Sequence, residues 1–289
     1  MPFLRLDPRE WILVKGEKSI SFSFSAANDI RKMDVNGVQR INEDYENDVL
    51  RTRYRQGLGH GLDFTLDVPL VSRGGGFMDP IISAWHKLFD LTNNARTGAP
   101  YGQAFIQVPG ADTFRDAIGI GDVSLAISKE LTPRLMSTVA VKLPTGNAHQ
   151  ILGSGNFDGA FDVQYKMPIS HRWQMQLQAG LVGQGQATDL QSTRGLNPIG
   201  SLVLMHKAND YDSYVFQWQT ESSGVTTGVG GSDSPHRTVS VGYQRRIGEH
   251  RMFEVYFTED GDWANTYHVP ELANIGPDFT LGARFVIHF

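Results

Sequence analysis

Apolar and polar residues alternate one by one along most of this chain. The alternation is clearest at the end of the sequence, where every second residue is apolar: Phe279, Leu281, Ala283, Phe285, Ile287 and Phe289. A period of two is that of a β-strand, and an apolar face opposite a partly charged one is typical of a strand between lipid and a watery lumen. Because a free apolar edge promotes aggregation, we expect this strand to pair with the first strand and close a barrel.

The same alternation predicts about twelve strands, an even number in the range of bacterial outer-membrane barrels. The predicted strands are 17–28, 44–56, 61–71, 119–130, 134–143, 157–167, 172–183, 198–207, 211–220, 236–246, 250–258 and 278–289. Short connections (57–60, 131–133, 168–171, 208–210 and 247–249) alternate with long ones (29–43, 72–118, 144–156, 184–197, 221–235 and 259–277).

This order of connections indicates the fold class. Short turns on the periplasmic side and long loops outside are the known asymmetry of transmembrane barrels. The chain is therefore predicted to be all-β, a single antiparallel up-and-down transmembrane β-barrel domain over residues 1–289. A soluble lipocalin-like barrel or a β-sandwich would also have alternating strands, but the face that carries charge argues against both. A sandwich would also leave the alternation of short and long connections without a cause.

Composition agrees with this fold and narrows the function. The 289 residues carry a net charge of -5 and no cysteine, which excludes disulfides and thiolate metal sites and gives no reason to expect nucleic acid as a partner. No run of about 18 apolar residues predicts a transmembrane helix. Met1-Pro2-Phe3 leads directly into polar sequence, so we expect a mature or trimmed chain whose signal peptide is missing.

Charged residues fall on the polar face of several strands. Across the turn at Gly57–Gly61 we expect Arg55 to lie opposite Asp63 and Arg51 opposite Asp67. The full set of predicted lumen-lining residues is Arg51, Arg53, Arg55, Asp63, Asp67, Asp122, Lys142, Asp158, Asp162, Lys166, Glu254 and Arg284. These could form a structural ladder of ion pairs or a charged constriction. Their charges nearly balance, which favours a neutral or zwitterionic solute, or none.

The longest connection, 72–118, contains a predicted short amphipathic helix. Asp79 and Pro80 form a helix start signal. Apolar residues then recur at helical spacing, and they are the candidates for a plug or a lid: Ile81, Ile82, Trp85, Leu88 and Phe89. The helix could close the barrel mouth, enter the lumen, lie on the outer leaflet or bind a partner, and packing against the protein's own loops is the default.

Several motifs carry a family resemblance. Gly57-Leu58-Gly59-His60-Gly61-Leu62-Asp63-Phe64, the following Val68-Pro69-Leu70-Val71-Ser72 and Gly75-Gly76-Phe77-Met78-Asp79, and the helical Trp85-His86-Lys87-Leu88-Phe89 resemble an uncharacterised family of Gram-negative outer-membrane proteins, domain of unknown function 3187. The run Lys142-Leu143-Pro144-Thr145-Gly146 with Leu152-Gly153-Ser154-Gly155 is also similar to the phenol-degradation meta-pathway barrels, thought to admit hydrophobic substrates. The resemblance implies a barrel in the bacterial outer membrane and supplies no catalytic residue.

Two functions follow as hypotheses. One is a passive channel for small neutral or hydrophobic solutes, and the other is a non-conducting structural or interaction barrel that acts through its external loops. An outer-membrane enzyme is a weaker alternative, because no Gly-x-Ser-x-Gly elbow occurs. We expect no catalytic residue, cofactor or metal. The expected partners are outer-membrane lipids and lipopolysaccharide, the barrel-assembly machinery through the C-terminal strand, and a small solute.

Overall fold

The computed structural model describes Leu4 and residues 11–35, 38–88, 90, 98–107, 116–188, 193–226, 233–260 and 279–289, with side chains at 31–35, 38–41 and 260 left aside. Its strands are β1 Lys18–Val35, β2 Val38–Gly59, β3 Leu62–Gly74, β4 Phe105–Gln107, β5 Ala117–Ile120, β6 Ser124–Thr132, β7 Leu135–Lys142, β8 Asp158–Pro168, β9 Trp173–Gln184, β10 Leu196–Lys207, β11 Asp212–Glu221, β12 His236–Ile247, β13 Arg251–Asp260 and β14 Phe279–His288. One α-helix, α1, spans Asp79–Leu88, and a 3-10 turn spans Ala148–Gln150.

Twelve of these strands form a closed antiparallel barrel, as predicted. Each strand pairs with the next along the chain, apart from the small β4 and β5, which add to the edges of β2 and β3. The barrel closes between β1 and β14, in a register that runs from Ser19 opposite His288 to Asn28 opposite Phe279. The prediction that the terminal strand completes the barrel is therefore confirmed.

The two faces of the wall differ as the alternation predicts. Large apolar side chains stand exposed on the outside, among them Phe24 on β1, Leu181 on β9, Phe216 on β11 and Leu281 on β14. The residues between them are mostly polar and point into the barrel, where many are buried. This is the inverse of a soluble domain, in which the apolar face is the buried one, and it explains why a chain with little apolar core forms a stable wall in lipid.

Three boundaries differ from the predicted ones. The connection 29–43 belongs largely to β1 and β2, which continue to Val35 and from Val38. Asn36-Gly37 is a strong hairpin signal that could have revealed this. The predicted strand 119–130 is divided into β5 and β6, and the connection 72–118 contains the short strand β4 as well as its helix.

The helix lies against the outside of the barrel. Met78 and Ile82 are fully buried in a cluster with Ala26 of β1 and Phe279 of β14. The side chains of Ala26 and Phe279 alternate with the lumen-facing Ala27 and Thr280, so they point away from the lumen. No helix in the described part of the chain is long and apolar enough to cross a membrane.

Candidate functional site

The barrel encloses a cavity of about 690 Å³. Its wall includes uncharged polar side chains such as Ser23 of β1, Gln217 of β11 and Ser240 of β12, and apolar ones such as Val203 and Met205 of β10. A cavity of this size and mixed lining is within the range that holds small organic molecules. It is the candidate functional site.

Of the predicted lumen-lining residues, seven line this cavity. They are Arg51, Arg53, Asp122, Lys142, Lys166, Glu254 and Arg284. The other five are deeply buried on the inner face of the wall: Arg55, Asp63, Asp67, Asp158 and Asp162. Asp162, which is fully buried, accepts hydrogen bonds from the side chains of Gln164 (3.3 Å) and Gln178 (3.2 Å). Arg284 donates to Glu254 across neighbouring strands (3.1 Å).

The pairing of the arginines on β2 differs from the predicted one. Arg53 lies opposite Asp67 and binds it through two hydrogen bonds of 2.8 and 3.0 Å. Arg55 lies opposite Thr65 and reaches Asp63 diagonally at 2.9 Å. Arg51 lies opposite Pro69, so its predicted position opposite Asp67 is wrong.

The reason for the different pairing is the turn between β2 and β3. Residues His60 and Gly61 form a tight turn, both with positive φ, and a bulge follows between Gly57 and Gly59. This turn is shorter than the assumed one and moves the register by two residues. A shift by two keeps every side chain on its face, which is why the charges still point inward although their partners changed.

A buried ion-pair cluster fastens the connection between β7 and β8. Lys142 lies 2.7 Å from Asp122 and 3.2 Å from Asp158, and it also donates to the hydroxyl of Ser154. Asp122 accepts the backbone N–H groups of Gly146 and Ser154 (2.9 and 2.8 Å). The connection is thereby folded inward, so that its residues Ile151 and Leu152 line the cavity.

Part of the segment before β1, which the structure describes at Leu4 and from Trp11 onward, occupies the lumen, and the sequence did not predict this. Leu4 fills a niche formed by Ala126, Ala140, Ala160 and Val182, which lie directly opposite one another on β6 to β9, and by Ile199 of β10. The backbone N–H of Leu4 donates to Asp158 (3.0 Å). Three alanines at matching inward positions on neighbouring strands leave room for another group, and this pattern in the sequence indicates such a niche.

Further contacts hold the same segment near the end of the barrel that carries the short turns. The ammonium group of Lys166 lies 4.1 Å from the centre of the Trp11 ring, and Arg55 donates to the carbonyl oxygen of Trp11 (3.0 Å). The backbone N–H of Leu13 donates to Asp63 (3.3 Å). The two inward carboxylates Asp63 and Asp158 therefore bind the segment as well as their own arginine and lysine partners.

These contacts divide the lumen into two sides. On the packed side, formed by β3 and β6 to β9, most inward residues are buried, and Thr65, Met136, Asp162 and Gln164 are almost inaccessible to solvent. A few inward residues of these strands, such as Lys142 and Lys166, also border the cavity. On the lined side, formed by β11 to β14, inward residues such as Gln217, Ser240, Glu254 and Thr280 border the cavity and stay partly exposed.

The residues predicted for a plug or lid lie elsewhere. Trp85 packs on the outward-facing Phe257 and Phe279, with ring centres 5.1 and 6.1 Å away. Ile82 is buried beneath the helix, whereas Ile81 and Leu88 are 43% and 74% exposed. Phe89 lies outside the described residues. The structure thus places α1 on the outer wall rather than in the lumen.

Two carboxylates, Asp79 and Glu46, fix the start of α1 on the wall. Asp79 accepts hydrogen bonds from the side chain of Asn28 (3.2 Å) and from the backbone N–H of Gly102 (2.8 Å). Glu46 of β2 accepts hydrogen bonds from the backbone N–H groups of Phe77 and Met78 (3.0 and 2.8 Å).

A cluster of three or more His, Asp or Glu side chains suited to a metal ion is absent from the described part of the chain.

The barrel is closed, its outer face is apolar and its lumen is polar. The molecule therefore has the fold of the outer-membrane β-barrel channels. Its sequence identifies the particular family: residues 13–269 match the family described as a protein of unknown function, DUF3187. The chain belongs to this family, and the predicted family resemblance is confirmed. Among curated proteins, none matches the sequence.

Solved structures with a similar fold include bacterial channels. The COG4313 outer membrane channel from Pseudomonas putida F1 superimposes with a TM-score of 0.66 at 14% identity, over 99% of this chain and 100% of that one. The CymD monoaromatic hydrocarbon channel gives 0.48 at 10% identity, over 96% and 89%. The P. putida toluene transporter TodX gives 0.43 at 10% identity, over 94% and 88%. The similarity to the COG4313 channel, at 14% identity, shows a shared fold.

Proposed function

We propose that this protein is a passive channel of the bacterial outer membrane for small neutral or hydrophobic solutes. The observation that carries the proposal is the cavity of about 690 Å³ inside a closed barrel, bordered by serine and glutamine side chains and by an apolar patch on β10. Uncharged polar groups keep a lumen hydrated without holding an ion, and an apolar patch lowers the cost of admitting an apolar solute.

The wall supports the proposed location. Exposed apolar side chains on the outside of β1, β9, β11 and β14 would contact the acyl chains of lipids and lipopolysaccharide. The exposed Ile81 and Leu88 of α1 continue this surface at the end of the barrel that carries the long loops. The C-terminal strand Phe279–His288 is the segment we propose for recognition by the barrel-assembly machinery.

Single-channel recording in planar bilayers tests the proposal. Wild-type protein is expected to give discrete conductance steps. Gln217→Trp, which places an indole in the cavity, is expected to lower the step size to roughly half, because the ion path narrows. Phe216→Trp is the matched control, since Phe216 is 41% exposed on the outer face of the same strand, and it should leave the steps unchanged.

The alternative is a non-conducting barrel that acts through its external parts. The packed side of the lumen and the helix fixed to the outer wall are the observations in its favour. It predicts that bilayers stay silent both with the wild type and with a variant that releases the segment around Leu4. Silence in both would contradict the channel proposal.

A further inference from the structure

The cationic side chains that border the cavity each have at least one partner within the protein, with one exception. Arg284 is bonded to Glu254, Arg53 to Asp67 and Lys142 to Asp122. Lys166 lies over the Trp11 ring, His236 is 3.4 Å from Glu221, and Arg73 donates to the carbonyl oxygen of Ile151 (2.6 Å). Within the part of the chain that the structure describes, Arg51 alone among these cations has no hydrogen bond, ion pair or ring partner.

The register explains why Arg51 is left over. Its neighbour on β3 is Pro69, which has neither charge nor N–H, and the nearby Asp67 is already bound by both donor groups of Arg53. On the other side, Arg51 lies opposite Ser23 of β1. Ser21 and Ser25, which flank Ser23 on the same inward face, also line the cavity.

This arrangement offers hydrogen-bond donors to a ligand. A guanidinium group has a planar fork of donors that matches a carboxylate, and serine hydroxyls can donate to the same oxygens. A half-buried arginine inside a barrel interacts more strongly with an anion than a surface arginine does, because the protein wall screens charge less than water. The chemistry at Arg51 therefore favours a carboxylate over a neutral polar group.

The rest of the cavity suits an apolar body. Val203 and Met205 on β10 and Val215 on β11 border the same space, five or more strands away from β2 around the barrel. A volume of about 690 Å³ accommodates a small organic acid with room for water. We propose that the lumen has a binding site for small carboxylates with an apolar body, in which Arg51 binds the carboxylate group.

Binding of benzoate and of its neutral counterpart benzamide to the detergent-solubilised full chain tests this site directly. Calorimetry is expected to show that the wild type binds benzoate about tenfold more tightly than benzamide, since a charge-assisted pair adds to the same apolar contacts. Arg51→Gln should reduce this preference to near unity. Arg237→Gln, on the outward and exposed face of β12, is the matched control and should retain it.

Equal binding of benzoate and benzamide by the wild type, or an unchanged preference in Arg51→Gln, would overturn the site. The proposed site goes beyond the proposed channel function, because its ligand carries a negative charge, and a transport measurement separates the two. If bilayers conduct, the reversal potential in a gradient of sodium benzoate should show a benzoate-to-sodium permeability ratio that falls about threefold in Arg51→Gln. Silent bilayers with intact benzoate preference would reject the channel and support the binding site. Conducting bilayers with no benzoate preference would support the channel and reject the binding site.

Discussion

The packed side and the lined side of the lumen are built from the same kind of strand and differ in what covers them. On both sides the outer face is apolar and exposed, as Phe161 on β8 and Val241 on β12 show at 49% and 54%. Inside, Asp162 on β8 is fully buried, whereas Glu254 on β13 borders open space. The alternation of a strand therefore determines which side chains point inward, while the groups packed against them inside the barrel determine whether those side chains meet protein or solvent.

The difference has an energetic meaning. A polar group on the packed side has exchanged water for protein partners, so removal of one partner leaves the other without a substitute. A polar group on the lined side can bind water when its partner is removed. Stability should therefore depend mainly on the packed side, and permeation mainly on the lined side.

The largest effect is expected at the buried lysine of the packed side. Lys142→Met would leave Asp122 and Asp158 buried without their lysine partner, and loss of one member of a buried ion pair costs about 3–5 kcal/mol. Urea unfolding in detergent or lipid vesicles, followed by the mobility of the folded and unfolded bands, measures the loss. The same substitution at the exposed Lys207 should have almost no effect. Equal stability of the two variants would show that the cluster does not hold the packed side together.

A substitution of Leu4 should release the segment before β1 from the packed side and widen the open part of the lumen. Leu4→Asp places a carboxylate among alanines and beside Asp158, which disfavours the bound segment. Release of the segment should raise single-channel conductance by a factor of about two, because the segment shares the cross-section of a narrow twelve-strand lumen. Leu131→Asp, at an exposed site that is 53% accessible, serves as the control. Unchanged steps in Leu4→Asp would mean that the segment does not limit the ion path.

The smallest effect on stability is expected for two equivalent hydroxyl pairs, one on each side of the lumen. Ser128 and Thr138 are hydrogen-bonded on the packed side (3.0 Å), and Ser240 and Thr258 are hydrogen-bonded on the lined side (2.7 Å). Thr138→Ala should cost about 1–2 kcal/mol and Thr258→Ala less than about 0.5 kcal/mol, because water can replace only the second hydroxyl. Unfolding of both variants under the same conditions gives the difference. A larger loss in Thr258→Ala would contradict the division of the lumen into two sides.

The sequence predicted the barrel well because its signal is local. Alternation within a strand and turn residues between strands are readable without knowledge of distant contacts, and they gave the twelve strands and the helix start at Asp79. The predicted register between β2 and β3 was wrong because the register depends on the conformation of His60 and Gly61. A shift of the register by two residues leaves the alternation unaltered, so the alternation could not reveal it.

The candidate site was less predictable because it depends on contacts between distant segments. The charges of Arg51 and Lys142 could be assigned to the inner face from their strands, but no local pattern reveals that Lys142 has several partners and Arg51 has none among the described residues. The amphipathic pattern of α1 predicted a buried face and could not specify its partner. Both the lumen and the outer wall present apolar surface, and the structure shows that Ile82 meets the latter.

The pairing of β1 with β14 has a consequence for how the protein folds. Lys18 and Phe289 exchange two backbone hydrogen bonds of 2.9 Å, so the ends of the strand region meet at a single seam. Every other pair of barrel neighbours, such as β12 and β13, is joined by one connection and can form soon after both strands exist. The seam joins residues from opposite ends of the chain, and contacts of such long sequence separation form slowly. The cylinder therefore closes only when β14 is in place, and a sheet that lacks this strand has two unpaired edges, at β1 and β13.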